Sequence, residues 1–359
     1  MKVKNLMNKN FYKDINGKRI LITGNTGFVG SYLSLTLSLF GAKVLGYSLK
    51  KTNRNFLSNN IKYKNKVKTI NDNILNIDRH ISEIKQFKPQ IIIHLASQPL
   101  VKESYLSTLK TYNTNILGTV NLLEICKKLK NLKHVIVFTS DKVYENLNGS
   151  ILNEKSKLGG IDPYSASKSS QDIITNSYKQ SFFKKKINFS IVRAGNIIGG
   201  GDWNLSRLVP DIYTSLYHNK KIIIRNPNAI RPWQHILDVV NAIIMLILKN
   251  KGLITTNTNI FNVGPEKDSN ITVRQLVKKI KYKSNNLDFK ILLTKIKFKE
   301  SKVLKLSNKL IKKKIRWKPL LDINESISIT NLWYDQFFND KKKRFELTEK
   351  QILNFFNIK

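Results

Sequence analysis

Short apolar runs alternate with segments of helical periodicity along the first half of the chain. The runs, which we predict to be strands, are Ile20–Thr23, Lys43–Ser48, Gln90–Leu95, His134–Ser140 and Phe189–Arg193. The predicted helices between them include Ser31–Phe40, Asn113–Lys128 and the stretch around Tyr164–Lys168. Strands that are apolar along their whole length are typical of a parallel sheet with helices on both faces. The pattern therefore predicts an α/β fold built on a doubly wound parallel sheet.

The pattern changes at about residue 196, where glycine, proline and arginine appear in loops and the regular alternation is lost. Phe261–Gly264 is one more short apolar run, which we expect to rejoin the first sheet, and Ile271–Ile311 indicates a helix, a strand and a second helix. We therefore predict two interleaved domains. The first comprises residues 1–195 and is rejoined by about 232–264, and the second is a smaller C-terminal α/β domain over residues 196–359.

The chain has the composition of a globular protein of a reducing compartment. Its hydrophobic content is 41%, and its most apolar stretch, Ala242–Leu248, has the length of a buried helix. No segment approaches the ~20 residues of a membrane span, and the N-terminal residues contain no apolar run of signal-peptide length. The single cysteine, Cys126, excludes an internal disulfide. We expect a cytoplasmic protein.

The strongest compositional feature is the charge. Lys and Arg number 63 against 24 Asp and Glu, which gives a formal net charge of +39. Such a charge is compatible with binding to nucleic acid or to an anionic surface. The lysines are nevertheless spread along the whole chain together with many asparagines and isoleucines, which favours a genome-wide compositional bias. On either interpretation, the field favours anionic ligands such as nucleotides.

A glycine-rich turn follows the first predicted strand. Gly24, Gly27 and Gly30 lie between that strand and a helix, where the backbone can approach a pyrophosphate at the helix N-terminus. The motif therefore predicts a dinucleotide site. An acidic residue is expected at the end of the second strand to hold the ribose, but Lys50 and Lys51 lie there instead, so this position leaves NADP open.

Two further motifs carry acid–base chemistry. Ser140, Asp141 and Lys142 follow an apolar strand at the sheet edge where ligands bind in doubly wound folds. Tyr164 and Lys168 are four residues apart and share one face of a helix. A fixed ammonium beside a phenol lowers the phenol pKa from about 10, which would make Tyr164 a usable base. A helix cap at Ser140 and a plain surface helix at Tyr164 are the alternatives.

The order of these motifs resembles the extended short-chain dehydrogenase/reductase family, and within it the CDP-glucose 4,6-dehydratases. The resemblance covers about two thirds of the chain, from about Gly17 to Asp238, and weakens beyond. The matching segments are GKRILITGNTGFVGSYLSL, IIIHLASQPLVKESY, TNILGTVNLLE, TSDKVYEN, LGGIDPYSASK, RAGNIIGGGDW, RLVPDI and IRNPNAIRPWQHILD. The related dTDP-glucose dehydratases carry Thr-Asp-Glu where this chain has Ser140-Asp141-Lys142. In having a lysine at this position, the chain resembles the cytidine branch of the family. The resemblance implies a Rossmann-type sheet, NAD as cofactor and a nucleotide sugar, CDP-glucose, as substrate.

For the chemistry, the resemblance implies that Tyr164, with Lys168 and Ser140 beside it, takes the proton of the carbon-4 hydroxyl while a hydride passes to NAD. By position, Asp141 is the general acid for water leaving carbon 6, and Lys142 is the base for the hydrogen of carbon 5. Lys142 must be neutral to act so, and an anchor for the sugar is the alternative. Hydride return to carbon 6 then gives a 4-keto-6-deoxy sugar.

The resemblance also implies which residues hold the ligands. For NAD they are Gly24, Thr26, Gly27, Phe28, Val29, Gly30, Asn73, Ile74, Leu95, Ala96, Tyr164 and Lys168. For the substrate they are Gln98, Asn196, Arg207, Leu208, Val209, Arg225 and Arg231. A salt bridge is the alternative for Arg207 and Arg225, and Trp203 and Trp233 are interpreted as core tryptophans. No metal is expected, because His94 and His235 have no ligand spacing, and His94 is interpreted as structural.

Two other functions remain open from the sequence. A nucleotide-sugar 4-epimerase, or a dehydratase for another nucleotide, would keep Tyr164 and Lys168. A basic protein that retains the fold but binds nucleic acid or an anionic surface would account for the net charge. We expect neither nucleic acid nor membrane insertion. The resemblance further implies a homo-oligomer, a dimer or tetramer, paired through helices that include Tyr164–Lys168. It also implies a role in deoxysugar synthesis for bacterial O-antigen or lipopolysaccharide.

Overall fold

The computed structural model describes residues 9–50, 57–60, 67–145, 149–184, 186–204, 206–218, 220–224, 226–253, 255–283, 291–293, 301–340 and 346–358. Its strands are β1 (Arg19–Thr23), β2 (Lys43–Ser48), β3 (Val67–Asn71), β4 (Ile91–His94), β5 (His134–Phe138), β6 (Ile151–Leu152), β7 (Asn188–Ala194), β8 (Asn196–Ile198), β9 (Ile222–Ile224), β10 (Ile230–His235), β11 (Asn259–Val263), β12 (Asn270–Thr272), β13 (Ile291–Leu293) and β14 (Lys305–Leu306). Its helices are α1 (Phe28–Leu39), α2 (Ile81–Phe87), α3 (Val101–Leu106), α4 (Thr108–Tyr112), α5 (Gly118–Lys127), α6 (Pro163–Tyr178), α7 (Leu208–Tyr217), α8 (Ile236–Leu248), α9 (Val273–Lys283), α10 (Lys309–Ile315), α11 (Ile323–Asn339) and α12 (Leu347–Phe356).

A seven-stranded sheet forms the centre of the molecule, in the order β11-β7-β5-β4-β1-β2-β3. Every neighbouring pair in it is parallel. The central strands are buried on both faces, and Ile20, Leu21 and Ile22 of β1 are each 0% exposed. Helices cover both faces, which is why these strands are apolar along their whole length. The doubly wound α/β fold predicted from the sequence is confirmed.

The order of the strands leaves a crevice at the middle of the sheet. After β1, the chain adds β2 and β3 on one side, and β4 then pairs with the other side of β1. At such a switch point the loops that follow the two central strands diverge, and ligands bind between them. The glycine-rich turn after Thr23 and the segment after His94 therefore both lie at this crevice.

In the part of the chain that the structure describes, three small sheets lie outside the central one. They pair β12 with β10 and β10 with β8, β13 with β9, and β14 with β6. Strand β11 returns to the central sheet beside β7, as expected for the run Phe261–Gly264. The chain therefore passes between the sheets more than once, and the limits of the two domains remain a prediction.

The core continues from the central sheet into the C-terminal helices. The segment Ile236–Ile247 of α8 is buried throughout, and Trp317 and Trp333 are 0% exposed. Trp233 is also buried, whereas Trp203 is half-buried against the aromatic side chains of α11. Within the described ranges, no helix combines the length and the hydropathy that crossing a membrane requires.

Candidate active site

A cavity of about 1280 Å³ opens at the crevice beyond the carboxyl ends of β1, β4, β5 and β7. Most of the predicted site residues line it. They are Gly24, Thr26, Gly27, Phe28, Val29, Gly30, Asn73, Ile74, Leu95, Ala96, Ser140, Asp141, Lys142, Tyr164, Lys168, Asn196, Arg207, Leu208, Val209 and Arg231. Gln98 is not among the lining residues, and Arg225 lies outside the described residues.

The turn between β1 and α1 has the backbone that a bound dinucleotide needs. Gly24 has φ +74°, which favours glycine, and a Cβ there would lie 2.7 Å from the Ala96 nitrogen. A Cβ at Gly30 would collide with the Gly24 carbonyl oxygen. The N-cap of α1 is Gly27, and no side chain caps the N–H groups of the first turn. This uncapped N-terminus in the cavity wall fits a pyrophosphate.

Hydroxyl groups occupy the corner where an acidic residue would hold the adenosine ribose. β2 ends at Ser48, whose Oγ lies 2.6 Å from Thr26 Oγ1, and Thr26 also donates to the Leu49 carbonyl at 3.2 Å. Lys50 is exposed and is not among the cavity-lining residues, and Lys51 lies outside the described residues. The corner therefore fits a free ribose hydroxyl better than a ribose phosphate.

Asn73 lines the cavity, but its side chain has a local task. Its Oδ1 accepts a hydrogen bond from Leu75 N at 3.1 Å and caps the turn after β3. The preceding carboxylate, Asp72, also lines the cavity. Hydrogen bonds from Asn76 and His80 lower the pKa of Asp72 to about 2. The negative charge next to Asn73 thus comes from Asp72.

Helix α6 begins at the cavity because its first turn is capped. Asp162 Oδ1 accepts a hydrogen bond from Ser165 N at 2.9 Å. Tyr164 and Lys168 follow on one face of the helix, and both are buried. Lys168 Nζ donates to the Phe138 carbonyl at 3.3 Å, which ties the helix to the end of β5. The predicted pair is therefore brought to the same edge as the motif after β5.

Ser140, Asp141 and Lys142 form a connected group beside Tyr164. Ser140 Oγ donates to Asp141 Oδ1 at 3.0 Å and is also hydrogen-bonded to the Tyr164 phenol. Lys142 Nζ lies 3.5 Å from the same Asp141 oxygen. Asp141 Oδ2 is buried and has no hydrogen-bond partner in the described part of the chain. An acid, a base and a hydroxyl bridge therefore face one cavity.

The electrostatics of Tyr164 differ from the prediction. Burial raises the pKa of Tyr164, and the opposing influences are the Lys142 ammonium and the Ser140 hydrogen bond. Lys168, predicted to lower this pKa, lies 6.0 Å from the ring centroid. Burial also lowers the pKa of Lys168 itself to about 7. In this structure, therefore, the Lys142 ammonium is the strongest influence that favours the phenolate of Tyr164.

The opposite wall carries the predicted substrate residues. Arg207, at the start of α7, donates from Nη1 to Asp202 Oδ2 at 2.9 Å. Its charge reaches Tyr164 and helps to lower the pKa of that phenol. Asn196 Oδ1 is buried without a partner among the described residues. Arg231 Nη1 donates to the Ile230 carbonyl at 2.9 Å. The salt bridge considered as the alternative for Arg207 thus exists, but inside the cavity wall.

Gln98 lies behind the wall. Its Nε2 donates to the Leu100 carbonyl at 3.1 Å and to Thr111 Oγ1 at 2.9 Å. Its Oε1 accepts from Leu100 N at 2.5 Å. These bonds use both amide protons, and the side chain does not line the cavity. Contact between Gln98 and the substrate stays a prediction. In the structure, Gln98 shapes the loop after β4.

His94 is structural, as the sequence indicates. Its ring nitrogens lie 2.7 Å from Thr23 Oγ1 and 3.0 Å from Thr119 Oγ1. Burial lowers the pKa of His94 to about 3, so the ring is neutral. Over the described ranges, no group of three or more His, Cys, Asp or Glu side chains is placed to hold a metal ion.

Sequence reasoning missed Asp202, which is 3% exposed and lines the cavity. Its carboxylate accepts hydrogen bonds from Asn204 N at 3.2 Å and Asn204 Nδ2 at 2.8 Å, besides Arg207. The signal available was the Gly-Asp-Trp segment before Arg207, which belongs to a matching motif but carries no spacing that marks an ion pair. Asp202 therefore became recognisable only from the fold.

Comparison with known proteins gives consistent results. The family model described as GDP-mannose 4,6 dehydratase matches residues 21–330. The chain is 39% identical over 285 residues to CDP-glucose 4,6-dehydratase of Salmonella typhimurium, covering 77% of this chain and 78% of that protein. It is 33% identical over 293 residues to dTDP-D-glucose 4,6-dehydratase of Dictyostelium discoideum, covering 73% of this chain and 61% of that one.

The solved structures agree on the fold. The crystal structure of dTDP-glucose 4,6-dehydratase from Bacillus anthracis in complex with NAD superposes with a TM-score of 0.75 at 23% identity, and the match covers 90% of this chain and 98% of that one. At this identity the likeness concerns the fold alone.

Proposed function

This chain belongs to the family described by the GDP-mannose 4,6 dehydratase model, and from that membership we propose that it is a CDP-glucose 4,6-dehydratase, an NAD-dependent lyase. Such an enzyme removes water across carbons 5 and 6 of the glucose and leaves a ketone at carbon 4. The observation that carries the proposal is the connected group of Ser140, Asp141 and Lys142 beside Tyr164. It supplies the acid and the base that dehydration needs in addition to oxidation.

Residues of the cavity wall support the proposal that NAD is the cofactor. The glycine-rich turn, which a Cβ at Gly24 or Gly30 would fill, and the uncapped start of α1 suit a pyrophosphate. The hydroxyls of Thr26 and Ser48 suit an unphosphorylated ribose, and Lys50 lies away from the lining, which favours NAD over NADP. When bound, NAD supplies a reversible hydride acceptor that takes a hydride from carbon 4 and returns it to carbon 6.

Side chains of the protein carry out the proton transfers. Tyr164 takes the proton of the carbon-4 hydroxyl as that carbon becomes a ketone. The ketone acidifies the hydrogen of carbon 5, which Lys142 removes, and Asp141 protonates the carbon-6 oxygen as it leaves as water. The proton gained by Tyr164 can return to Asp141 through Ser140, which is hydrogen-bonded to both. Lys142 returns its proton to carbon 5, so every group ends the cycle as it began.

The nucleotide sugar is proposed to bind along the opposite wall. Arg207 and Arg231 carry planar guanidinium groups suited to the diphosphate, and Asn196 has a buried oxygen without a partner in the described structure. The formal charge of +39 adds a long-range attraction for this anionic substrate. Contacts by Leu208, Val209 and Arg225 remain predictions, as do the oligomer, the cytoplasmic location and the role in surface polysaccharide synthesis.

A 4-epimerase is the alternative from the same family, because it would use Tyr164 and Lys168 in the same way. It would have no use for a general acid and base placed beside the phenol. The unpartnered Asp141 Oδ2 and its neighbour Lys142 therefore favour dehydration.

Purified protein incubated with CDP-glucose and NAD tests the proposal. We expect a product lighter by one water, identified by mass spectrometry and by the methyl signal of a 6-deoxy sugar in the NMR spectrum. Tyr164→Phe is expected to lose ~100-fold or more of this activity, because the phenol is the proton acceptor.

Binding of NAD, followed by tryptophan fluorescence, is the control for the Tyr164→Phe variant and is expected to remain close to wild type. Recovery of a CDP-sugar epimer without loss of water would contradict the dehydratase assignment. Conversion of dTDP-glucose in preference to CDP-glucose would contradict the nucleotide.

A further inference from the structure

Asp172 and Arg193 form a buried ion pair next to Lys168 of the site. Asp172 is on α6, one turn after Lys168, and each of them is 2% exposed. Arg193 of β7, also 2% exposed, contacts Asp172 Oδ2 through Nε and Nη2, both at 2.5 Å. The proposed chemistry uses neither Asp172 nor Arg193. A buried ion pair is a weak source of stability, so its place beside Lys168 needs another explanation.

The guanidinium of Arg193 is held from the other side as well. Its Nη1 donates to the Tyr144 hydroxyl at 2.9 Å, and that hydroxyl donates to Asn262 Oδ1 at 2.5 Å. Asn262 N in turn donates to Glu154 Oε1 at 2.9 Å. Arg193, on β7, is therefore held between α6 and the segment after β5, which Tyr144 ties to Asn262 of β11, and it fixes the carboxylate of Asp172.

One oxygen of Asp172 is not held by Arg193. Arg193 occupies Oδ2, whereas Oδ1 is buried and makes no hydrogen bond within the part of the chain that the structure describes. Burial raises the pKa of Asp172, and the Arg193 guanidinium opposes that rise. The Arg193 guanidinium thus favours the ionised carboxylate of Asp172, next to a lysine that is itself buried.

The groups around Lys168 come from three other elements besides its own helix. His94 on β4 is neutral, Arg193 on β7 is paired, the Phe138 carbonyl of β5 accepts from Lys168, and Tyr164 lies at the cavity. Burial lowers the pKa of Lys168 to about 7, and the Asp172 carboxylate opposes this fall. Without that carboxylate, burial would lower the pKa of the Lys168 amine further.

We propose that Asp172, fixed by Arg193 one helical turn from Lys168, is a positioning residue that favours the charged form of the Lys168 amine beside Tyr164. This role rests on the proposed function, since it matters only if the charge on Lys168 serves the reaction. It does not require Asp172 to touch a ligand. Asp172 would act entirely through Lys168.

The pH dependence of kcat/KM is the first test, because it reports groups of the free enzyme. A negative charge beside Lys168 raises the pKa of the amine, and its removal lowers that pKa. In Asp172→Asn the ammonium is therefore lost earlier as the pH rises. The alkaline limb of the profile is expected to move toward acid by about one pH unit, which is about tenfold in rate on that limb.

A matched control and a second variant accompany this test. Glu83→Gln removes one carboxylate from an exposed ion pair with Lys68 and is expected to leave the profile unchanged. Asp172→Asn leaves Arg193 buried without its partner and can unfold the protein. Asp172→Leu combined with Arg193→Met replaces the pair by apolar side chains, and the same acid shift is expected there.

A second readout needs neither substrate nor turnover. Trace acetic anhydride acetylates neutral amines, so the yield of acetylated Lys168 against pH, measured by mass spectrometry, follows its ionisation. The midpoint is expected to move toward acid in both Asp172 variants and to stay in place in Glu83→Gln. An unchanged midpoint in the folded double variant would overturn the proposal. A shifted midpoint in a protein that does not convert CDP-glucose would support Asp172 while overturning the proposed function.

Discussion

Lys142 has two possible roles in the site, and they require opposite charge states. As an ammonium 3.5 Å from Asp141 Oδ1, it opposes the rise in the pKa of Tyr164. As the base for carbon 5 it must be neutral. Substitution distinguishes them, because arginine keeps the charge but stays protonated at any working pH.

We expect Lys142→Arg and Lys142→Met to lose dehydratase activity alike, by ~100-fold or more, because neither side chain can accept a proton. Exchange of the carbon-5 hydrogen with deuterated water, followed by NMR, should disappear in both variants. Near-normal turnover by Lys142→Arg would assign Lys142 to charge alone and move the base elsewhere in the cavity.

For single residues, the sequence predicted which side chains form the site better than it predicted their burial and their charged neighbours. Tyr164, Lys168 and Asp141 were predicted from spacing and from the position of a strand end, and the fold brings them to one cavity. Whether the pKa of Tyr164 is raised or lowered depends on burial. Burial is determined by long-range packing and not by the local spacing of residues. Asp172 was missed for the same reason, since it lies on α6 and its partner Arg193 lies on β7.

The conformation of the segment between β8 and α7 depends on one carboxylate, that of Asp202. Asp202 accepts hydrogen bonds from Asn204 and Arg207, and its own carbonyl accepts from the Tyr334 hydroxyl at 2.6 Å. Ser206 has φ +80°, a strained value for a residue with a side chain. The segment is thus held in an uncommon conformation that directs Arg207 at the cavity.

Asp202→Asn is expected to raise KM for CDP-glucose about tenfold or more with a smaller change in kcat, because a hydrogen bond to a charged group contributes about 1.5–3 kcal/mol. Steady-state kinetics measures the effect, and thermal unfolding checks the fold. Asp335→Asn, which removes an exposed carboxylate from α11, is the control for charge. An unchanged KM in folded Asp202→Asn would contradict this role.

The ends of the helices also depend on contacts that the sequence pattern does not show. Helix α1 begins at Phe28 and not at the predicted Ser31, because the glycine cap lies within the ligand-binding turn. The predicted helix Asn113–Lys128 begins with a π-helical turn over Asn113–Leu117. Within that turn, Asn115 Nδ2 donates to the Gln98 carbonyl at 3.1 Å and to Ser167 Oγ at 2.8 Å. Contacts between distant segments hold this turn, and periodicity does not report them.

At the scale of the whole molecule, the alternation of strands and helices was sufficient for the central sheet and for the edge at which the site lies. It was not sufficient for the small sheets. Strand β6 has two residues and pairs with β14, which follows much later in the chain. So short a strand leaves no periodicity, and its partner is determined by the packing of the C-terminal part on the central sheet.

Apolar side chains on the helices at one side of the sheet predict how two copies of the chain meet. Helix α6 packs against α3, α4 and α5. Large exposed side chains lie on these helices and on the turns that continue them, at Leu106, Leu109, Leu117, Ile173 and Phe182. Exposed apolar side chains that form one contiguous patch mark an interaction surface. We expect this surface to pair with its copy in a dimer, as the family resemblance implies.

Light scattering coupled to gel filtration is expected to give about 83 kDa, twice the chain mass of 41.5 kDa. Leu106→Lys combined with Ile173→Lys should give a monomer, because two further cations would face their own copies across a two-fold axis. Leu332→Lys with Ile151→Lys alters side chains that are 52% and 54% exposed elsewhere and should remain dimeric. Since each chain carries a formal charge of +39, the dimer should also weaken as the salt concentration is lowered. Dimers in the first double variant, or monomers in the second, would place the interface on another face of the molecule.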